Sequence, residues 1–432
     1  MNRSSLIGHV IEALTLVGSA RRPADTVIGE FFRERRYLGS TDRRFIAETV
    51  YGVLRNYRLL AARAARALGI PGDSPVDPVA LVAALESATP DADPELVASG
   101  LGERWAGRQM SCAEFVRSVR QCAGEESTWP LAVRHSIPDF VAAEWMRKFS
   151  PDEAEALCAA SNDRPPVTIR ANTLKGEAGA CAAALLSEGI ESSAGGLSPV
   201  ALLLPRRINA ASLRSFRDGL FEIQDEGSQL VAPLLEAHPG MAVLDACAGS
   251  GGKSLHLAAL MENRGEITAL DIDRGRLEKL SVRARRAGAT IIRSALVRPG
   301  PAPLRPDTYD AVLIDAPCSG TGTFRRSPWT KLTCTEEYSH LLASRQRELL
   351  RRYAPCVKRG GRLVYATCTL LAEENARVVE DFLALRPDFT LLSAADLLSR
   401  QGIHLRLGSP YLELFPHVTG TDGYFAAVMA RA

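Results

Sequence analysis

Residues 242–253 read Ala-Val-Leu-Asp-Ala-Cys-Ala-Gly-Ser-Gly-Gly-Lys and combine a short apolar run with a glycine-rich loop. Between a strand and a helix, glycines let backbone N–H groups approach a ligand, and the helix N-terminus favours negative charge. The spacing is neither G-x-G-x-x-G nor that of a phosphate-binding loop, in which four residues separate the first glycine from the Gly-Lys pair. Taken alone, the segment leaves a cofactor loop and a tight structural turn equally open.

The sequence after residue 240 alternates between strand and helix patterns. The expected strands are Ala242–Ala246, Glu266–Asp271, Thr290–Arg293, Ala311–Asp315 and Arg362–Ala366. The expected helices are Gly252–Met261, Arg274–Ala287, Glu336–Val357 and Glu373–Leu385. This alternation predicts an α/β fold with a doubly wound parallel sheet. Two later runs, Tyr411–Phe415 and Gly423–Met429, predict a closing hairpin.

Two regions of different pattern precede this domain. Residues 1–150 are helical, as in Asp42–Leu54, where apolar residues recur with the period of a packed helix. The segment Asp163–Pro166 marks a boundary. Beyond it, the expected strands are Val167–Asn172 and Val200–Leu204, and the expected helices are Ala178–Leu186 and Asn209–Phe216. The sequence pattern therefore predicts three domains: an all-α domain at 1–150, a small α+β module at 163–238 and the α/β domain at 239–432.

The overall composition is that of a soluble globular protein, with 46% hydrophobic and 24% charged residues among 432. No apolar run approaches the roughly 20 residues that span a bilayer, and the N-terminus lacks the apolar core of a secretory signal. We therefore expect a cytoplasmic protein without a membrane partner. The nine cysteines form no C-x-x-C pair and the seven histidines have no ligand-like spacing, so no metal site is expected.

Positive charge is concentrated near the N-terminus, although the net charge of the chain is only +2. Residues 1–70 contain twelve arginines against six carboxylates. A cluster such as Arg33–Arg36, with Arg35 and Arg36 as the candidate contacts, could meet the phosphates of a nucleic acid. An arginine-rich helix face in solvent is an equally good interpretation of the same residues.

Two cysteines directly follow expected strands, in Ile314-Asp315-Ala316-Pro317-Cys318 and in Val364-Tyr365-Ala366-Thr367-Cys368. Ligands of open α/β sheets bind outside the carboxyl ends of the strands, so both thiols should share a crevice with the glycine loop. Such thiols suit covalent chemistry on a pyrimidine, because carbon 5 of cytosine is a poor nucleophile until a thiolate attacks carbon 6. Asp315 could bind or protonate the ring nitrogen. The residues alone do not assign a role to each thiol.

Further polar residues are expected at the same crevice. Asp271 ends the strand after the loop, at the distance of about 20 residues where a carboxylate accepts ribose hydroxyls. The loop and this acid fit either a nicotinamide dinucleotide or S-adenosylmethionine. Arg325 and Arg326 follow the Asp315–Cys318 segment, and their place on this loop favours contact with phosphates over exposure to solvent alone.

Four segments resemble, in the right order, the successive signatures of the RsmB/Nop2/Sun family of RNA cytosine-5 methyltransferases. They are Phe221–Leu230, Asp245–Lys253, Asp315–Gly322 and Tyr365–Cys368. The likeness extends over nearly the whole chain: Asp42–Leu54 is similar to the NusB-like domain of the bacterial RsmB (Sun) branch, and the middle module resembles its RNA-recognition-like linker. The resemblance implies a Rossmann-like domain that methylates a cytosine of small-subunit ribosomal RNA with S-adenosylmethionine.

The resemblance also implies roles for individual residues. Cys368 would be the nucleophile, Cys318 would help product release, and Asp315 would contact the target base or the cofactor. The residues implied to hold S-adenosylmethionine are Cys247, Ala248, Gly249, Ser250, Gly251, Gly252, Lys253, Asp271 and Asp315. This chain departs from the family at Ser250, where a proline is usual, and at Ser294–Val297, which lacks the family's carboxylate after the third strand.

Several alternatives to this interpretation are open at the level of sequence. The same chemistry could act on transfer RNA, because nothing in the residues reads the target. A non-catalytic ribosome-assembly or RNA-binding factor could keep the fold, and a nicotinamide-dependent dehydrogenase is a more distant candidate. We expect a monomer with RNA as its partner and without a metal ion.

Overall fold

The computed structural model describes residues 1–20, 22–72, 74–88, 93–297 and 304–432. The chain divides into two compact units, one made of Met1–Asp163 with Ser327–Cys334, the other of Arg164–Arg326 with Thr335–Ala432. The small α+β module and the α/β domain fall within the second unit, so the division into three domains stays a prediction. In the described parts of the chain, no helix is long and apolar enough to cross a membrane.

The first unit is helical. Its helices are α1 (Arg3–Ser19), α2 (Ala24–Glu34), α3 (Ser40–Arg55), α4 (Tyr57–Leu68), α5 (Pro78–Ser87), α6 (Pro94–Leu101), α7 (Cys112–Ala123), α8 (Leu131–Arg134), α9 (Asp139–Lys148) and α10 (Pro151–Ala160). Helix α3 begins two residues before the expected Asp42, because Gly39 is its N-cap and the Asp42 carboxylate accepts the Gly39 N–H at 3.3 Å. The helices enclose one apolar core that includes Ile7, Val50 and Phe115.

Residues 327–334 return from the second unit to fold with these helices. Trp329 and Leu332 pack against the apolar core of the first unit. The ammonium group of Lys331 donates to the backbone oxygens of Arg55 and His135, at 3.2 and 3.3 Å, and to the side chain of Asn162. Burial lowers the pKa of Lys331 to about 7. The segment is therefore anchored by apolar packing and by three oxygen acceptors.

The second unit begins with a four-stranded antiparallel sheet in the order β2-β3-β1-β4. Its elements are β1 (Val167–Ala171), α11 (Ala178–Ser187), β2 (Ser193–Ala194), β3 (Ala201–Leu204), α12 (Arg214–Arg217), β4 (Phe221–Ile223) and α13 (Glu226–Gln229). The helix expected at Asn209–Phe216 is wrong, since a 3-10 turn and α12 are separated there by an extended Leu213. The Glu188 carboxylate accepts the Arg214 N–H at 2.6 Å and so starts a new helix.

A larger mixed sheet follows, in the order β10-β12-β9-β8-β5-β6-β7, with β11 paired to β12. The remaining elements are β5 (Ala242–Asp245), α14 (Gly252–Leu260), β6 (Glu266–Asp271), α15 (Arg274–Ala287), β7 (Ile292–Leu296), β8 (Tyr309–Asp315), α16 (Thr330–Thr333, in the first unit), α17 (Glu336–Tyr353), β9 (Val357–Thr367), α18 (Ala376–Leu385), β10 (Phe389–Leu392), α19 (Ala394–Ser399), β11 (Leu412–Leu414), α20 (Pro416–Thr419) and β12 (Tyr424–Arg431). Strands β9, β8, β5, β6 and β7 are parallel, as expected. Strand β12 is antiparallel to β9, β10 and β11, so the prediction of a parallel sheet holds for five strands only.

The central strands are buried on both faces, which explains why their sequences are apolar runs without alternation. Val243 and Leu244, neighbours on β5, belong to apolar cores on opposite faces of the sheet. Asp315 at the end of β8 lies opposite Ala366 near the end of β9. The parallel register therefore brings the residues after β5, β6, β8 and β9 to one edge of the sheet.

Candidate functional site

All nine cysteines are free thiols and fall into two groups. Six are buried within the two units: Cys112, Cys122, Cys158, Cys181, Cys334 and Cys356. The other three, Cys247, Cys318 and Cys368, are partly exposed and follow β5, β8 and β9. Within the described ranges, no group of three His, Cys, Asp or Glu side chains is placed to hold a metal ion.

The loops after β8 and β9 bring two thiols together. The Sγ atoms of Cys318 and Cys368 are 3.4 Å apart, and the Cys368 N–H points at the Cys318 sulfur from 3.3 Å. The N–H of Gly322 donates to the Cys368 carbonyl at 3.0 Å, which joins the two loops through their backbones. The distance between the sulfurs therefore depends on how both loops are held.

A buried carboxylate holds the first of these loops. Glu374 is fully buried and accepts hydrogen bonds from the Ser319 N–H at 2.9 Å, the Gln346 amide at 2.9 Å and the Ser339 hydroxyl at 3.0 Å. The Ser319 hydroxyl also lies 2.8 Å from that of Thr369 in the other loop. Sequence reasoning placed Glu374 on a helix and missed this contact; the only local signal is that Glu374 is the second of two acidic residues, five and six positions after Cys368.

Lys253 and Asp315 form an ion pair next to the thiols, with 2.6 Å between Nζ and Oδ2. Burial works to lower the pKa of Lys253, but the charge and the hydrogen bond of Asp315 raise it above its usual value, with smaller contributions from Cys368 and Asp245. Lys253 is therefore an ammonium at neutral pH. Its Nζ lies 5.8 Å from the centre of the Tyr424 ring, which adds a cation–π contact.

The two thiols are not equivalent. The hydrogen bond to Cys368 and then burial raise the pKa of Cys318 well above its usual value. Cys318 thus keeps its proton at neutral pH. Its sulfur lies within hydrogen-bond distance of the Cys368 sulfur, where either thiol could be the donor, and the Lys253 charge interacts with Cys368.

The glycine loop after β5 is tied to the acid after β6. The carboxylate of Asp271 accepts the Gly249 N–H at 2.8 Å and the Asp273 N–H at 2.8 Å. Gly251 has a φ of +85°, and a Cβ atom there would lie 2.6 Å from the Leu280 side chain, so only glycine fits. The loop is therefore held in one conformation at the N-terminus of α14.

Asp245, the last residue of β5, is a buried carboxyl group beneath this loop. Its Oδ2 accepts the Ser254 hydroxyl at 2.6 Å, whereas its Oδ1 has no hydrogen-bond partner among the described residues. Burial raises the pKa of Asp245 to about 7. Since a buried carboxylate with an unpaired oxygen is costly, we expect its ionisation to oppose folding.

Asp245→Asn is therefore expected to gain stability over wild type as the pH rises from about 4 to about 7. The folded carboxyl titrates near 7 and the unfolded one near 3.8, so unfolding releases a proton within this window and rising pH favours the unfolded wild type. Chemical denaturation of both proteins at about pH 4.5 and about pH 8 measures the difference in unfolding free energy. A difference that stays constant between the two pH values would contradict the assignment.

The two arginines expected to contact phosphates lie in a buried ion cluster. Arg325 is only 4% exposed and donates to Asp422 at 2.9 Å. Arg326, with 39% of its side chain exposed, contacts Asp422 at 2.5 Å and Asp225 at 3.0 Å. Two buried carboxylates need cations nearby, and Arg325 pairs with one of them, Asp422. Its burial leaves little of Arg325 for an RNA phosphate, and RNA contacts of Arg325 and Arg326 stay predictions.

The two arginines of the first unit that were expected to bind RNA, Arg35 and Arg36, differ in burial and in their contacts. Arg35 is half-buried, pairs with Glu12 at 2.5 Å and lies 4.0 Å from the Phe31 ring centre. Arg36 is exposed and has no ion-pair partner among the residues that the structure describes. Of these two, Arg36 is the side chain left available to a phosphate.

Comparisons with known proteins identify the family of the chain. A family model described as "16S rRNA methyltransferase RsmB/F" matches residues 232–430, and another for its ferredoxin-like domain matches residues 137–211. The "Probable ribosomal RNA small subunit methyltransferase B" of Bacillus subtilis is 35% identical over 309 residues, 71% of this chain and 69% of that protein. The chain belongs to the RsmB family of ribosomal RNA methyltransferases.

A second relative extends the likeness over nearly the whole length. The protein of the same name from Synechocystis is 31% identical over 426 residues, 92% of this chain and 93% of that one. The crystal structure of the protein PH0851 has a TM-score of 0.78 and 24% identity, and covers 100% of this chain and 99% of that chain. This likeness confirms the fold. Membership of the methyltransferase family bears out S-adenosylmethionine as the cofactor.

Proposed function

We propose that this RsmB-family methyltransferase transfers a methyl group to carbon 5 of a cytosine in small-subunit ribosomal RNA through a covalent adduct with Cys368. The observation that carries the proposal is the pair of thiols 3.4 Å apart beside the Lys253–Asp315 ion pair. Methylation of carbon 5 requires a nucleophile for carbon 6 and a polar partner for the ring, and both requirements are met within one site.

Cys368 is the better nucleophile of the two thiols. Cys318 keeps its proton, whereas the Cys368 sulfur interacts with the charge of Lys253. A neighbouring cation stabilises the thiolate that an attack on carbon 6 requires. The Cys368 sulfur would bond to carbon 6, which makes carbon 5 nucleophilic. After methyl transfer the carbon-5 proton passes to a solvent water. The electron pair of that C–H bond re-forms the double bond between carbons 5 and 6 as the sulfur–carbon bond breaks, which restores the base and the Cys368 thiolate.

The Lys253–Asp315 pair would bind the target ring. Attack on carbon 6 places negative charge on the ring nitrogen and carbonyl, which an ammonium donor stabilises. The Asp315 carboxylate can accept the exocyclic amino group, a donor that cytosine has and uracil lacks. The pair therefore accounts both for activation of the ring and for the choice of cytosine. The base would be extruded from the RNA to reach this crevice.

The surroundings of the glycine loop fit S-adenosylmethionine. Each oxygen of Asp271 has a second lone pair for a ribose hydroxyl, and the first N–H groups of α14 are free of helical partners. Ile272 is 82% exposed and Leu296 is 36% exposed beside it on β7. These apolar side chains would contact the adenine, for which β7 offers no carboxylate. When bound, the cofactor supplies the methyl group.

The proposal is tested with isotopically methyl-labelled S-adenosylmethionine and unmodified small-subunit RNA. Nucleoside analysis is expected to find the label in 5-methylcytidine. Label in any other nucleoside would contradict carbon-5 chemistry. Parallel reactions with a transfer RNA fraction separate the rival substrate, and cofactor binding without turnover on any RNA would favour a non-catalytic binding factor.

Cys318→Ala is expected to accumulate a covalent protein–RNA adduct, because this variant keeps the Cys368 side chain that forms the adduct but lacks the group that helps release. Denaturing gels of reactions with labelled RNA should show a retarded band that wild type does not build up. Cys181→Ala removes a buried thiol of the small antiparallel module and serves as the matched control. Free turnover by Cys318→Ala without any adduct would remove Cys318 from product release.

A further inference from the structure

A buried arginine of the small antiparallel module reaches the glycine loop. Arg170, on β1, is 2% exposed. Its Nη1 donates to the Gly252 carbonyl at 2.8 Å and to the Gln224 side-chain oxygen at 2.7 Å, which uses both hydrogens of that nitrogen. Gly252 is the first residue of α14. A strand outside the large sheet therefore holds the start of the cofactor helix.

The other side of the loop is held by α15. Arg283 donates to the Ser250 carbonyl at 2.7 Å. Glu222, on β4 of the small module, pairs with Arg283 at 2.9 Å and also with Arg286. The carbonyls of Ser250 and Gly252 thus each accept a hydrogen bond from an arginine. The small module contributes one of these arginines, Arg170, and pairs with the other, Arg283, through Glu222.

We propose that Arg170 is a positioning residue for the cofactor, and that the small module serves cofactor binding through it. Because the peptide unit is planar, holding the Gly252 carbonyl also fixes the N–H of Lys253, one of the free donors at the N-terminus of α14. The same contact fixes the backbone of Lys253 and therefore the position from which its side chain extends to Asp315. The inference rests on the proposed cofactor site and assigns it a residue outside the large sheet.

The burial of Arg170 is difficult to explain by packing alone. No carboxylate contacts its guanidinium directly among the described residues, and its Nε has no hydrogen-bond partner there. Burial lowers the pKa of Arg170 to about 9, while the charge of Glu222 opposes this effect. The pKa of the neighbouring His256 is well below its usual value because of burial and the Arg170 charge. A buried cation without a direct ion pair is costly, so a purely structural position would favour an apolar side chain.

The test compares Arg170→Met with Asn172→Ala, a change directly after the same strand. Asn172 joins β1 to α15 by donating to the Ala287 carbonyl at 2.8 Å, but it does not contact the glycine loop. Calorimetric titration with S-adenosylmethionine should show Arg170→Met binding about tenfold more weakly than wild type, the loss expected for one charged hydrogen bond. Asn172→Ala should bind within about twofold of wild type. Amide hydrogen exchange should accelerate at residues 249–253 in Arg170→Met only, and the KM for RNA should not change.

Either of two results would overturn the inference: cofactor affinity and amide exchange of Arg170→Met equal to wild type, or an equal loss of affinity in Asn172→Ala. If Arg170→Met does not fold, Arg283→Met decides the matter, since it removes the donor to Ser250. Weaker cofactor binding by that variant supports the inference, and unchanged binding overturns it. Wild-type protein without measurable cofactor binding would instead contradict the proposed cofactor site itself.

Discussion

Cys368→Ala is expected to lower kcat by about 10⁴-fold or more, because no other group in the site can form the bond to carbon 6. The nearest thiol, Cys318, has a pKa well above its usual value through its hydrogen bond to Cys368 and through burial. Without Cys368 that hydrogen bond is lost, but burial still disfavours a Cys318 thiolate. Single-turnover assays with labelled cofactor and small-subunit RNA measure the loss directly.

The control for this prediction is cofactor binding. Cys368→Ala should bind S-adenosylmethionine as wild type does, because none of the residues proposed to hold the cofactor lies in the loop after β9. Cys356→Ala, at a buried thiol just before β9, should retain activity. Near-normal methyl transfer by Cys368→Ala or Cys368→Ser would refute the covalent mechanism.

Lys253→Met is expected to lower kcat by about 10²- to 10⁴-fold, the range for losing one electrostatic or acid–base partner in a water-excluded site. The substitution removes the cation near the Cys368 sulfur and the donor for the ring, and it leaves Asp315 without its partner at 2.6 Å. Asp315→Asn should lose a similar amount. The double variant should lose little more than either single one, because the two side chains act as a pair.

A second Lys–Asp ion pair with the same distance between nitrogen and oxygen, whose aspartate is also on β8, provides the matched control. Lys358 and Asp310 are also 2.6 Å apart, but Asp310 lies at the other end of the strand from Asp315. Lys358→Met should leave kcat unchanged within about twofold. Full activity of Lys253→Met, or equal losses in the two lysine variants, would mean that the Lys253–Asp315 pair does not take part in the reaction.

The sequence predicted the parts of the site that follow from strand order. Asp315–Cys318 and Thr367–Cys368 each come after an apolar run, and parallel strands bring their carboxyl ends to the same edge. The glycine loop could be recognised for the same reason, because it directly follows Ala242–Asp245. The pairing of β12 with β11 was predicted as a closing hairpin. The position of β12 between β9 and β10 was not predicted, because a local sequence pattern does not report which distant strands pair.

The contacts that hold the site together could not be predicted in the same way. Arg325 looked like a phosphate ligand because it lies on the loop after Cys318, but its partner Asp422 is 97 residues further along the chain. Glu374 and Ser319 are 55 residues apart, and Arg170 and Gly252 are 82 residues apart. A buried polar residue looks like any surface residue in the sequence until its distant partner is known.

The most direct test of the covalent mechanism is to identify the amino acid that carries the RNA in the Cys318→Ala adduct. The adduct would be formed with small-subunit RNA and S-adenosylmethionine, digested with nuclease and protease, and mapped by tandem mass spectrometry. We expect a methylated cytidine attached to Cys368, in the peptide that follows β9. Attachment at any other residue, or turnover without an adduct, would contradict the mechanism.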